Sequence, residues 1–175
     1  GEAHRVVAEI FRDMLSRSPD ELTQRRYAAL LVLGLADADA LRAELRESAE
    51  GRRLERFQRA ARTTLRALAA DEGSTFTDEE GDRLVERWRA AGGPEPVLGR
   101  AVADATDART TRAATRVVDA TFEQVLARSP DAPARRCFAA AVLLGLADES
   151  SLRLELERSH EHARLARVRG ARHGA

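Results

Sequence analysis

Leu15-Ser16-Arg17-Ser18-Pro19-Asp20 returns 111 residues later as Leu126-Ala127-Arg128-Ser129-Pro130-Asp131, and a degenerate copy, Thr75-Phe76-Thr77-Asp78, lies between them. Sliding the chain by 111 residues aligns residues 5–48 with 116–159 without a gap, and 22 of those 44 positions are identical. The punctuation matches too: Gly34-Leu35-Ala36-Asp37 returns as Gly145-Leu146-Ala147-Asp148. A repeat of this size is one supersecondary unit that needs neighbours to bury its apolar face.

Each copy reads as a hinge between two helices. Ser18 is placed to accept from the open N–H groups of the next helix, and Pro19 suits the first helical position because its missing N–H costs nothing there. Asp20 and Glu21 put negative charge where the helix dipole favours it, and Glu21 completes a Ser-x-x-Glu capping box. Thr77-Asp78-Glu79-Glu80 is the same box in the middle copy. Gly34 and Gly145 fit the positive-φ position after a helix end. Asp37 and Asp148 then cap a third helix. The middle copy aligns residues 78–92 with 20–34, puts Leu98 and Val102 at the places of Leu41 and Leu45, and puts Asp107 at that of Glu50.

Apolar spacing predicts a first helix over about 3–16, from Val6, Val7, Ile10, Phe11, Met14 and Leu15, and a second over about 19–33. The ends of the outer second helices, residues 27–33 and 138–144, are apolar on every side and read as buried all round. Leu84, Val85 and Trp88 give the middle second helix one apolar face, so it should be half exposed. Beyond Gly51 the stripe Leu54, Phe57, Ala61, Leu65 and Leu68 lies opposite that of Leu41 and Leu45. Either the helix breaks at Gly51 or one long helix changes neighbours. The same reversal between Leu98/Val102 and Val118/Phe122/Val125 suggests that helix three of each unit runs into helix one of the next. The expected fold is all-α: tandem helical repeats, three related three-helix units, with the outer two packed about a pseudo-twofold axis. The boundaries are 1–51, 52–110 and 111–168, followed by a flexible tail over 169–175.

Composition narrows the function classes. The 175 residues suffice for one substantial core or two small ones. With 43% hydrophobic and only 4% aromatic residues, that core must be mostly Leu, Val and Ala, which favours close-packed helices. All 29 basic residues are Arg, as a GC-rich genome would bias them, so Arg count alone does not indicate nucleic-acid binding. They balance 29 acids, so no global field attracts polyanions. The single cysteine, Cys137, cannot form an internal disulfide, and its apolar run makes it buried and inert. No apolar run is long enough for a membrane span, and no signal peptide is visible, although the chain starts at Gly1 rather than Met.

These motifs resemble a bacterial helical module, the domain of unknown function 4214 family. Its pattern is a helix ending Leu-Leu-Gly-Arg-x-Pro-Asp, then x-x-Gly-x-x-x-Trp, a Gly turn and a closing Ser-x-Glu. The two hinge hexapeptides match the first element, and Ser48-Ala49-Glu50 and Ser159-His160-Glu161 match the last. Tyr27 and Phe138 stand at the Trp position, where the middle copy has Val85. The hinge Gly is replaced by Ser16 and Ala127, and the second Gly by Thr23 and Ala134. The resemblance implies a tandem module of secreted or surface proteins, S-layer-like and calcium-repeat proteins, or glycosyltransferase-linked chains, to which no activity is assigned. The motifs are also similar to phycobilisome linker domains, which are protein-binding scaffolds.

Candidate chemistry is weighed against packing. Arg17 and Arg128 are placed to satisfy helix-end carbonyls and to pair with Asp20 and Asp131 across each hinge, a structural role. His160-x-His162 with Glu161 suggests a metal, but residues two apart on a helix do not share a face. The acid-rich stretch 71–82 fails as a calcium loop, because Phe76 stands where Gly is required and alternate carboxylates are missing. Arg52, Arg56, Arg59 and Arg66 form a stripe opposite the apolar face, repeated more weakly by Arg109, Arg112 and Arg116. It reads as a solvated face or as an anion- or partner-binding surface. There is no Ser-His-Asp set, phosphate-cradling Gly loop or Cys/His cluster. No catalytic residue, cofactor or metal is therefore expected. The leading expectation is a non-enzymatic protein-interaction or scaffold module of a larger bacterial, surface-associated protein. The alternatives are a polyanion- or glycan-binding domain using the Arg stripe and self-association with a second copy.

Overall fold

The computed structural model describes residues 1–94 and 107–173, the last of these, 169–173, as backbone only. Leu98 and Val102 lie outside the described residues. Among the described residues every regular element is helical: α1 (Glu2–Leu15), α2 (Glu21–Val32), α3 (Ala38–Glu47), α4 (Ala49–Asp71), α5 (Asp78–Ala90), α6 (Ala108–Leu126), α7 (Ala132–Leu143), α8 (Glu149–Glu157) and α9 (His160–His173). The chain divides into two compact units, Gly1–Arg56 and Phe57–Ala175.

In the first unit, α1 packs on both α2 and α3. Its core is Val7, Ile10, Phe11 and Leu15 of α1 with Ala28, Leu41 and Leu45, flanked by Tyr27 and Leu31. In the second unit, α6 packs on α7 and α8, α5 lies on α7, and α9 meets α6 and α8. The rings follow the repeat. Phe11 and Tyr27 stand 5.7 Å apart, and Phe122 and Phe138 5.5 Å apart. Phe57 stacks on Trp88 at 5.0 Å, and the Trp88 indole N–H donates to the Pro94 carbonyl at 2.8 Å.

Both hinges turn on a left-handed residue. Ser16 has φ 52° and its N–H donates to the Arg12 carbonyl; Ala127 has φ 54° and donates to that of Glu123. These are the positions where the resembled family has Gly. A side chain in this region costs about 1–2 kcal/mol, partly offset because Gly frees the unfolded chain. Ser16→Gly and Ala127→Gly should each stabilise the fold by about 0.5–1 kcal/mol. A fall in the denaturant midpoint of either variant would remove this account of the hinge.

Three expectations are corrected. The first is the cap of the second helix, which is Asp20 and not Ser18. The Asp20 carboxylate accepts from the Thr23 N–H at 2.9 Å and its hydroxyl at 2.6 Å, and Asp131 accepts from the Ala134 N–H at 2.8 Å. A charged acceptor outcompetes a hydroxyl at the positive end of a helix, so α2 starts after Pro19 and no box forms with Glu21. The second is the link between α3 and α4, which is not continuous. Ser48 (φ −61°, ψ 156°) breaks the chain three residues before Gly51. Its hydroxyl then accepts from the Gly51 N–H at 3.0 Å and starts α4.

The third correction concerns α2, which is not buried all round. Leu22 is 79% exposed, Val32 75%, Leu33 68% and Leu35 71%, because α1 covers only the side carrying Tyr27, Ala28 and Leu31. The matching end of α7 is buried at Ala139, Ala140, Ala141 and Leu144. The middle second helix, α5, is half exposed as its pattern predicts: Leu84, Val85 and Trp88 are buried, while Asp82, Arg83 and Glu86 face water.

Candidate functional site

The hinge arginines are clamps. Arg17 donates Nη1 to the Ser18 carbonyl at 3.0 Å and forks Nε and Nη2 onto the Glu50 carboxylate at 2.6 and 2.7 Å. Its guanidinium also lies 5.6 Å from the centre of the Phe11 ring. Arg128 repeats each contact, with Ser129 at 3.0 Å, Glu161 at 2.5 and 2.7 Å, and Phe122 at 5.5 Å. The direct Arg17–Asp20 and Arg128–Asp131 pairs expected from sequence are therefore replaced. Each Asp is spent on its own helix cap, and the planar fork of Arg is better matched by a carboxylate approaching in its plane. The closing Ser-x-Glu gains a physical role. Ser48 and Ser159 start the next helix, and Glu50 and Glu161 receive the hinge fork.

This geometry sets a double-mutant test. Arg17→Ala and Glu50→Ala should couple by about 0.5–1 kcal/mol, whereas Arg17→Ala and Asp20→Ala should add within about 0.5 kcal/mol. Coupling to Asp20 but not to Glu50 in denaturant melts would overturn the assignment. Hydrogen bonding from Arg128 also holds the Glu161 carboxyl below its usual range, so the carboxylate beside His160 and His162 is already engaged.

Sequence reasoning missed the most buried ionic group. Arg136, 5% exposed, donates Nε to Glu80 at 2.7 Å and Nη1 to Glu72 at 2.7 Å and to the Ser74 hydroxyl at 3.2 Å. Glu80 is 1% exposed, and its second oxygen accepts from the Thr77 N–H at 2.7 Å. The expected capping box is therefore present and carries a second duty. Burial pushes the Glu80 carboxyl up, but hydrogen bonds from Arg136 and Thr77 outweigh it and leave the group below its usual range. Acids of the stretch 71–82 thus serve an arginine 56 residues further on. The signal available in sequence was the repeat itself, because Arg136 is identical to Arg25.

Beside this network a groove of about 510 Å3 opens between α5, α7 and α8. Its lining includes Leu84, Ala90, Cys137 and Phe138. Arg87 crosses it, forked onto Glu155 at 2.8 and 2.8 Å and lying 5.1 Å from the Phe138 ring centre. Cys137 is half-buried rather than fully buried, and burial raises its thiol pKa, which disfavours the reactive thiolate.

Arg52, Arg56, Arg59 and Arg66 are all exposed on α4. Arg56 and Arg59 also have interactions within the protein. Arg109 and Arg116 are exposed on α6, and Arg112 faces Asp71 at 3.8 Å. No group of three or more His, Cys, Asp or Glu residues among the described ones is arranged to hold a metal ion, and no described helix is long and apolar enough to cross a membrane. No family model, curated protein or solved structure matches the chain.

Proposed function

We propose that this chain is a tandem array of three related three-helix units, acting as a non-enzymatic protein-interaction or scaffold module of a larger bacterial, surface-associated protein. The observation that carries the reading is the exposure of large apolar side chains on α2 and the turn that follows it, at Leu22, Val32, Leu33 and Leu35. Large apolar side chains left exposed on and just beyond one folded helix support an interaction surface. The best-positioned polar side chains are already consumed in holding the fold: Arg17 on Glu50, Arg128 on Glu161 and Arg136 on Glu80. The hinge and closing motifs resemble those of the domain of unknown function 4214 family, although no family model matches the chain. Within the second unit, α5 packs on α7 and Glu80 holds Arg136.

Immobilised full chain should capture a protein from extracts of the source cell saturably and in fixed stoichiometry. Absence of any saturable partner in cytosolic, envelope and secreted fractions would sink the reading. A second reading, a polyanion- or glycan-binding domain, is favoured only by the exposed arginines of α4. It requires retention on heparin that falls steeply with salt and is lost on changing Arg52, Arg56 and Arg59 to Gln, with an unchanged melting temperature. On the interaction reading, the chain is not retained on heparin even at low salt.

A further inference from the structure

The two outer second helices carry the same stripe in opposite states. On α7 it runs Arg136, Cys137, Ala140, Leu144; on α2 the same repeat positions are Arg25, Arg26, Ala29, Leu33. Three of the four residues are identical. On α7 the stripe is covered, because α5 packs over it. Glu80 takes Arg136, the Cys137 thiol lies 3.8 Å from the Glu80 carbonyl oxygen, and Ala140 and Leu144 are 0% and 5% exposed. On α2 the stripe is open. Ala29 and Leu33 are exposed, and the Arg25 side chain, 69% exposed, pairs among the described residues with Glu21 one turn back. That surface pair contributes little and is easily exchanged.

We propose that the open stripe of α2 is the seat of a second, acidic amphipathic helix from a partner protein, docked as α5 docks on α7. The proposal rests on the interaction-module reading and adds its surface and the chemistry of its client. The internal pair supplies the template. A Glu at the third helical position of the client takes Arg25, as Glu80 takes Arg136, and apolar side chains one and two turns later, at the places of the buried Leu84 and Trp88 of α5, cover Ala29 and Leu33. The one departure sets the charge. Cys137 borders Arg83 and Arg87 of α5, whereas α2 has Arg26 at that place. Two arginines facing Arg26 would repel it, so the client carries acids there. This excludes α5 of a second copy, which bears both arginines and already has its Glu80 engaged on α7.

The probe is a fluorescent peptide of residues 74–91 of this chain with Arg83→Glu and Arg87→Glu, titrated against the full chain. It should bind about ten-fold more tightly than the unaltered peptide. Leu33→Asp and Arg25→Glu in the full chain should each weaken it about ten-fold without lowering the melting temperature, since both sites are exposed. Absence of binding, equal binding of the two peptides, or binding indifferent to both variants would overturn the proposal. So would a dimer in light scattering that Leu33→Asp dissolves, because a second copy would then be the occupant. If the chain captures a partner from extracts but ignores the peptide, the helix proposal alone falls. If it does neither, the interaction reading falls with it.

Discussion

Arg136→Ala should destabilise the second unit by about 3–5 kcal/mol. The reason is what remains behind. Glu80 is 1% exposed and would be left as a buried charge facing a void, with Glu72 and Ser74 also losing their donor. Arg136→Met fills the space but leaves the same orphaned carboxylate, so it should be nearly as costly. Adding Glu80→Gln to Arg136→Met removes the charge while keeping an acceptor for the Thr77 N–H, and should recover much of the loss. Denaturant melts of the two single variants and the double variant test this. Simple additivity would mean that the ion pair is not the unit of stability. The pair also sets an acid limit. Glu80 has a folded pKa below its ordinary value of 4.5, so its contribution is complete above that pH and is lost as the pH falls through the lower, folded value. In Arg136→Met that part of the acid dependence should disappear.

Gly51→Ala should cost about 2–3 kcal/mol in the first unit, although Ala is the better helix former by about 1 kcal/mol. A Cβ at position 51 would lie 2.1 Å from the Leu45 carbonyl oxygen and 2.9 Å from that of Arg46. Both obstacles are backbone, so no side chain can swing aside. The close approach follows from Ser48, which turns the chain so sharply that the first turn of α4 rests on the end of α3. In the stretch that repeats the sequence 111 residues later, the same position is His162. There α8 ends at Glu157, one residue earlier by the repeat register. A wild-type midpoint for Gly51→Ala in chemical denaturation would refute the steric account.

Helical class, hinge positions and the Thr77–Glu80 box were legible in the sequence because they follow from local rules: period, caps and positive-φ residues. Local rules failed where two acceptors competed, as at Ser18 and Asp20. They failed again where an apolar run implied more burial than its neighbours supply. Residues 27–33 and 138–144 look alike in sequence, yet one end is open and the other covered, because only α7 has α5 lying on it. Pairings at a distance were the least legible. Arg136 with Glu80 and Arg17 with Glu50 join groups 56 and 33 residues apart, and no periodicity encodes such a match. The repeat did mark them after the fact. Arg17–Glu50 returns as Arg128–Glu161, and Arg25 stands unburied where Arg136 is enclosed.

The stacking of Trp88 on Phe57 has an optical consequence. The chain has one Trp and one Tyr, and they fall in different compact units, Trp88 in the second and Tyr27 in the first. Indole emission therefore reports only on residues 57–175. Phenol absorbance reports chiefly on 1–56, through a hydroxyl that donates to Glu44 at 2.7 Å. A single titration read at two wavelengths gives a separate melting curve for each half of the molecule, without labels or truncation.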